Sequence, residues 1–109
     1  MKAAKLCDMT RGWFVGAFEP SVVQTDLCEA AVKHFKAGDK EEAHFHKIAT
    51  ETTVVISGEV RMFKQIWRTG DIVVAEPGDI TSFEALTEAV LAVVKTPGVL
   101  NDKYLAEEK

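Results

Sequence analysis

The segment GDKEEAHFHKIATETTVVISG, Gly38 to Gly58, decides how this chain is read. His44 and His46 stand two positions apart, so an extended backbone sends both imidazoles to the same face of a sheet. Phe45, between them, is sent to the opposite face and into apolar packing. Lys47, Ile48, Ala49 and Thr50 let the backbone turn before Glu51 opens a run whose Val54, Val55 and Ile56 favour a strand. That return path lets Glu51 supply a third ligand beside the two imidazoles. Two histidines and one carboxylate with open positions suit a divalent transition metal, non-haem iron(II) in particular, and zinc accepts the same donors.

The spacing G-x5-H-x-H-x4-E-x6-G, filled by Gly38, His44, His46, Glu51 and Gly58, resembles the first sequence motif of the cupin superfamily. A second cupin motif is expected after a short gap, and Gly70 to Ala85 occupies that place. Gly70, Gly78 and their spacing match it. Glu76 stands at the motif's proline position with Pro77 one place later, Thr81 stands where the family has its fourth ligand, a histidine, and Ala85 replaces the asparagine. The resemblance spans roughly 28 to 95 and implies an all-β fold, a single cupin-type jelly-roll barrel, or double-stranded β-helix, around a central cavity. It also implies a divalent transition metal (iron, zinc, manganese or nickel) held by His44, His46 and Glu51, with Thr81 leaving one coordination position open. The alternative is an inherited constellation that no longer holds metal.

The rest of the chain agrees with that class. From Val22 onward, seven or eight short strand candidates recur with Gly or Pro at the turns and no convincing long helix, which indicates a β-sandwich or barrel. Candidate strands cover 26–36, with Ala31, Val32 and Phe35 apolar, 43–47, 51–57, 59–63, 66–68, 72–75, 80–85 and 89–95. Gly58 is expected to turn a hairpin between 51–57 and 59–63. Lys40, Glu41 and Glu42 read as a solvated loop, and Glu84 as facing away from the cavity. His34 is a pocket candidate, as an acid or base, if its side chain points inward, but alternation alone does not set that parity.

Residues 1–20 form an N-terminal arm, expected to pack on the barrel or on a partner subunit; 21–98 form the barrel; 99–109 form a tail, expected as a short helix or frayed end. The arm concentrates Trp13, Phe14 and Phe18, three of nine aromatic residues. Those rings are expected on the outer face of the sheet or against a second copy, with a place in the ligand pocket as the alternative. A homodimer is expected from the resemblance and this arm together.

At 109 residues and 47% hydrophobic content, the chain is the size of one domain that removes roughly two-thirds of its unfolded surface from water. Thirteen basic against seventeen acidic residues leave a net charge of −4 with no basic block, so nucleic acid finds no electrostatic footing. No apolar run suits a signal peptide or a membrane span, so the expectation is a soluble cytoplasmic protein. Cys7 and Cys28 form no disulfide framework, and Cys28 reads as a small buried residue. The implied functions are a metal-dependent enzyme acting on a small polar metabolite (isomerase, lyase or dioxygenase), or a non-catalytic small-molecule-binding or sensory module.

Overall fold

Alternating side chains give each long strand one apolar face and one outer face, and the two sheets close their apolar faces on each other. The computed structural model describes residues 1–108. After a 3-10 turn at Leu6–Asp8 come strands β1 (Trp13–Val15), β2 (Glu29–Phe35), β3 (Lys40–Phe45), β4 (Thr50–Ser57) and β5 (Glu59–Met62). Strands β6 (Gln65–Arg68), β7 (Ile72–Ala75), β8 (Thr81–Ala85), β9 (Ala89–Thr96) and β10 (Tyr104–Leu105) complete the chain. They form two five-stranded sheets in the orders β1-β2-β9-β4-β7 and β10-β3-β8-β5-β6. Every pairing between these strands is antiparallel. This is the jelly-roll arrangement expected from the sequence.

The interior is apolar at one end and charged at the other. The inward set of β9 runs Ala89, Leu91, Val93 and then Lys95. In β4 it runs Val55, Thr53 and then Glu51, and in β2 Phe35, Lys33, Ala31 and Glu29. Val55, Leu91 and Val93 meet Val60, Met62, Phe83 and Ala85 of the facing sheet in one buried cluster. At the other end the register places Glu29, Lys95, Glu51 and Ala75 side by side across four strands. An apolar plug therefore anchors the barrel, while a polar chamber opens beyond it.

Four expectations are corrected. Gly58 does not turn a hairpin, because β4 and β5 belong to different sheets. It carries the chain across instead, at φ +94°, where a Cβ would fall on the Glu88 carbonyl oxygen. The β5–β6 hairpin turns at Phe63 and Lys64, both at positive φ. Residues 40–42 are not a loop but the start of β3, where Lys40 and Glu42 are exposed while Glu41 between them turns inward towards Lys33. The tail is neither helical nor frayed among the described residues: β10 pairs Tyr104 with Phe45 and Leu105 with His44. Phe45 and Tyr104 stack with centroids 5.5 Å apart, a contact linear sequence cannot reveal. Finally, β2 begins at Glu29 rather than at 26.

Candidate metal centre and ligand cavity

His46 lies just past the end of β3 and is 6% exposed. Its Nδ1 is 2.6 Å from the carbonyl oxygen of Asp102. A carbonyl only accepts, so Nδ1 carries the proton and donates it. Nε2 then faces Glu51 Oε2 at 3.1 Å. His44 stands beside them, its ring nearly perpendicular to that of His46 with centroids 5.5 Å apart. Its Nδ1 donates to the Glu42 carbonyl oxygen at 2.8 Å, so Nε2 is again the nitrogen left for other partners. Backbone carbonyls thus orient both imidazoles, as ligating histidines are commonly oriented.

The His46–Glu51 contact requires a cation. A bare Nε2 lone pair against a carboxylate oxygen is repulsive, and the repulsion is relieved by a proton on Nε2 or by a metal ion shared between the two atoms. Two donors on one ion at ~2.0–2.2 Å stand about 2.8–3.6 Å apart for octahedral to tetrahedral angles, a range that includes the observed separation, as does a hydrogen bond from a protonated Nε2. The donor types and this spacing fit a divalent transition metal. Among the described residues, no group of three or more His, Cys, Asp or Glu forms a ready-made cluster, so His44 is near the pair without completing it. Burial pushes the Glu51 pKa up, but the His46 contact and then the charges of Lys95, His46 and Lys33 outweigh it. The net result lies below the ordinary 4.5, and the carboxylate is kept charged.

Asp102 is the residue that sequence reasoning missed. It is 4% exposed, and its carboxylate accepts from the backbone N–H groups of Lys47 (3.1 Å), Ile48 (3.1 Å) and Ala49 (2.9 Å). One residue of the tail therefore ties down the β3–β4 turn with its side chain and orients His46 with its carbonyl. Burial raises the Asp102 pKa, and the N–H groups of Ala49, Ile48 and Lys47 and the charge of His46 bring it below the ordinary 3.8. An isolated Asn-Asp pair in a polar tail carries no sequence signal for this role.

His44, His46 and Glu51 line a cavity of about 350 Å³. Trp13 and Phe18 line it as well, so these two rings of the arm sit at the ligand chamber rather than on the outer face of the sheet. Lys33 and Lys95 complete the inner wall with Glu29 and Glu41. These charges were detectable in principle, since Lys95 continues the inward series Leu91, Val93 and Glu29 shares parity with Ala31. Thr81 lines a narrow inner recess with His44, His46 and Glu51. Its hydroxyl is already spent, accepting from Phe63 N–H and donating to the Ser82 carbonyl, both at 2.7 Å. His34 is exposed and turns away from this cavity, lining a larger outer hollow of about 590 Å³ beside the arm. Glu84 faces outward, pairing with Arg61 and Lys40.

No family model matches the sequence, and no curated protein matches it either. Solved structures do. An uncharacterized conserved protein with a double-stranded beta-helix domain from Klebsiella pneumoniae is 27% identical, with a TM-score of 0.71 over 80% of this chain and 76% of that one. KdgF from Halomonas sp. is 20% identical, with a TM-score of 0.63 over 71% of this chain and 74% of its own. Oxalate decarboxylase from Bacillus subtilis is 23% identical, with a TM-score of 0.66 over 73% of this chain. This chain spans only 24% of that enzyme, for which Mn(II) centres are named. At these identities the last two likenesses concern the fold. No helix among the described residues is long and apolar enough to cross a membrane.

Proposed function

The chain is a member of the cupin superfamily, and on that premise we propose that it binds a divalent transition metal through His44, His46 and Glu51 and acts on a small polar metabolite in the adjoining cavity. The observation that carries this reading is the His46 Nε2–Glu51 Oε2 contact of 3.1 Å, with the Nδ1 proton already committed to Asp102. That arrangement aims a nitrogen lone pair and a carboxylate at one point, where a cation satisfies both.

When bound, such an ion supplies Lewis-acid polarisation of a ligand oxygen. The chain's own residues do the rest. Glu51, held ionised, offsets the positive charge, and the Glu42 and Asp102 carbonyls engage both Nδ1 atoms so that each Nε2 is the nitrogen left for an ion. Glu41 presents a partly exposed carboxylate to the same chamber, a group able to accept a proton from a bound ligand. Trp13 and Phe18 give the chamber an apolar part of its lining. Proton-transfer chemistry of the isomerase or lyase type uses these groups most directly.

Metal uptake tests the reading. Wild-type protein stripped with chelator and dialysed against Mn(II), Fe(II), Ni(II) or Zn(II) is expected to retain about one ion per chain by elemental analysis, and His46→Ala to retain almost none. Equal retention by the two proteins refutes it.

A further inference from the structure

Lys33 and Lys95 are both largely buried, with side chains 20% and 16% exposed. Yet neither ammonium makes a hydrogen bond among the described residues. The nearest carboxylate oxygens, Glu41 Oε2 at 3.7 Å from Lys33 and Glu29 Oε1 at 3.8 Å from Lys95, lie beyond hydrogen-bond length. Both Nζ atoms stand 5.2 Å from the centroid of one ring, Trp13. A single indole thus gathers two cations at the wall of the chamber that holds His44, His46 and Glu51. Each ammonium has a carboxylate nearby but keeps N–H donors that no hydrogen bond takes up, and those donors are what a bound anion would meet.

Charge balance narrows the class. Glu29, Glu41 and Glu51 face Lys33 and Lys95 on the inner wall, one negative charge in excess. A divalent ion turns this into one positive charge in excess, which a single carboxylate cancels and a phosphate dianion overshoots. At the mouth, Arg11 and Lys103 against Glu19 favour entry of the same sign of ligand.

We propose that the ligand of this cavity carries a carboxylate that meets the ammonium groups of Lys33 and Lys95 beside Trp13, while its remaining polar atoms face the metal side. The inference rests on the metal reading above, because only a bound divalent ion gives the inner wall its positive excess. Trp13 also provides the reporter. Trp67, the only other tryptophan, lies in β6 of the opposite sheet and donates Nε1–H to the Met62 carbonyl, so Trp67→Phe leaves a single indole at the site.

In Trp67→Phe protein, zinc uptake is measured first. Glycolate, its neutral isostere glycolamide and inorganic phosphate are then titrated against Trp13 emission, with calorimetry in parallel. Glycolate is expected to bind about ten-fold or more tighter than glycolamide, and tighter than phosphate. Lys33→Met and Lys95→Met, each made in this background, are expected to erase that preference while zinc uptake persists. Because Lys33 and Lys95 come from different strands, either folded variant suffices. Equal affinity for glycolate and glycolamide overturns the inference, as does a preference surviving in a folded Lys33→Met protein, and tighter binding of phosphate overturns the carboxylate assignment. Absence of zinc uptake overturns the metal reading and the carboxylate assignment with it, whereas zinc uptake without a glycolate preference overturns the assignment alone.

Discussion

Replacing Asp102 with alanine removes the one side chain that ties the C-terminal tail to the β3–β4 turn. Three N–H donors lose a charged acceptor: those of Lys47, Ile48 and Ala49. Ala49 is fully buried, so its N–H is left without water and costs about 1–3 kcal/mol. Ile48 is 56% exposed and its neighbour Lys47 is exposed too, so water replaces those two bonds at about 0.5–1.5 kcal/mol each. The expected loss is therefore about 2–6 kcal/mol, a large share of the ~5–15 kcal/mol typical of a domain. In urea at about pH 7 this lowers the midpoint by roughly 1–3 M with an unchanged slope. The turn carries His46, so metal affinity is expected to fall about ten-fold in the same variant.

The acid limb gives an independent check on the same residue. The folded pKa of Asp102 is lowered below 3.8, so folding favours the ionised form. The stabilisation is complete above that ordinary value and disappears as pH falls through the lower folded value. Asp102→Asn mimics the protonated acid, so wild type and this variant should converge in stability as pH drops towards about 2. A loss under about 0.5 kcal/mol for Asp102→Ala at neutral pH, or a wild type–Asn gap that persists undiminished in acid, refutes the account.

Two further substitutions separate structural from ligating roles. Thr81→Val deprives Phe63 N–H of its acceptor and should cost about 1–3 kcal/mol by urea denaturation, yet leave metal uptake at the wild-type level; uptake as low as that of His46→Ala would make the hydroxyl a ligand after all. Gly58→Ala and Gly70→Ala share a positive φ near +90°, but only at Gly58 does a Cβ run into backbone, that of Glu88 and Ala89. Gly70→Ala should cost about 1–2 kcal/mol and Gly58→Ala measurably more in the same denaturation assay, with equal costs refuting the close approach.

Much of the fold was legible because it is written in local alternation. Leu91 and Val93 bury while Val94 faces out, and the glycine-punctuated spacing around His44, His46 and Glu51 implies a jelly roll through its resemblance to the first cupin motif. The common direction of His44 and His46 follows from the same periodicity, whereas Glu51 meets them from β4 of the other sheet only through closure. Sheet membership was not legible at Gly58, because a tight turn and a crossing between sheets use the same glycine and differ only in which distant strand receives β5.

Three features at the chamber were decided by tertiary structure alone. Asp102 meets Lys47, Ile48 and Ala49 across more than fifty residues of chain, a contact set by where β10 docks on β3 and by nothing local to the tail. Lys33 and Lys95 converge on Trp13 only because β1, β2 and β9 are neighbours in one sheet. Thr81 keeps its hydroxyl from the chamber because the turn at Phe63 presents an N–H to it. Side-chain period is a property of the strand and can be read along the chain; partnership is a property of closure, and only the folded barrel assigns it.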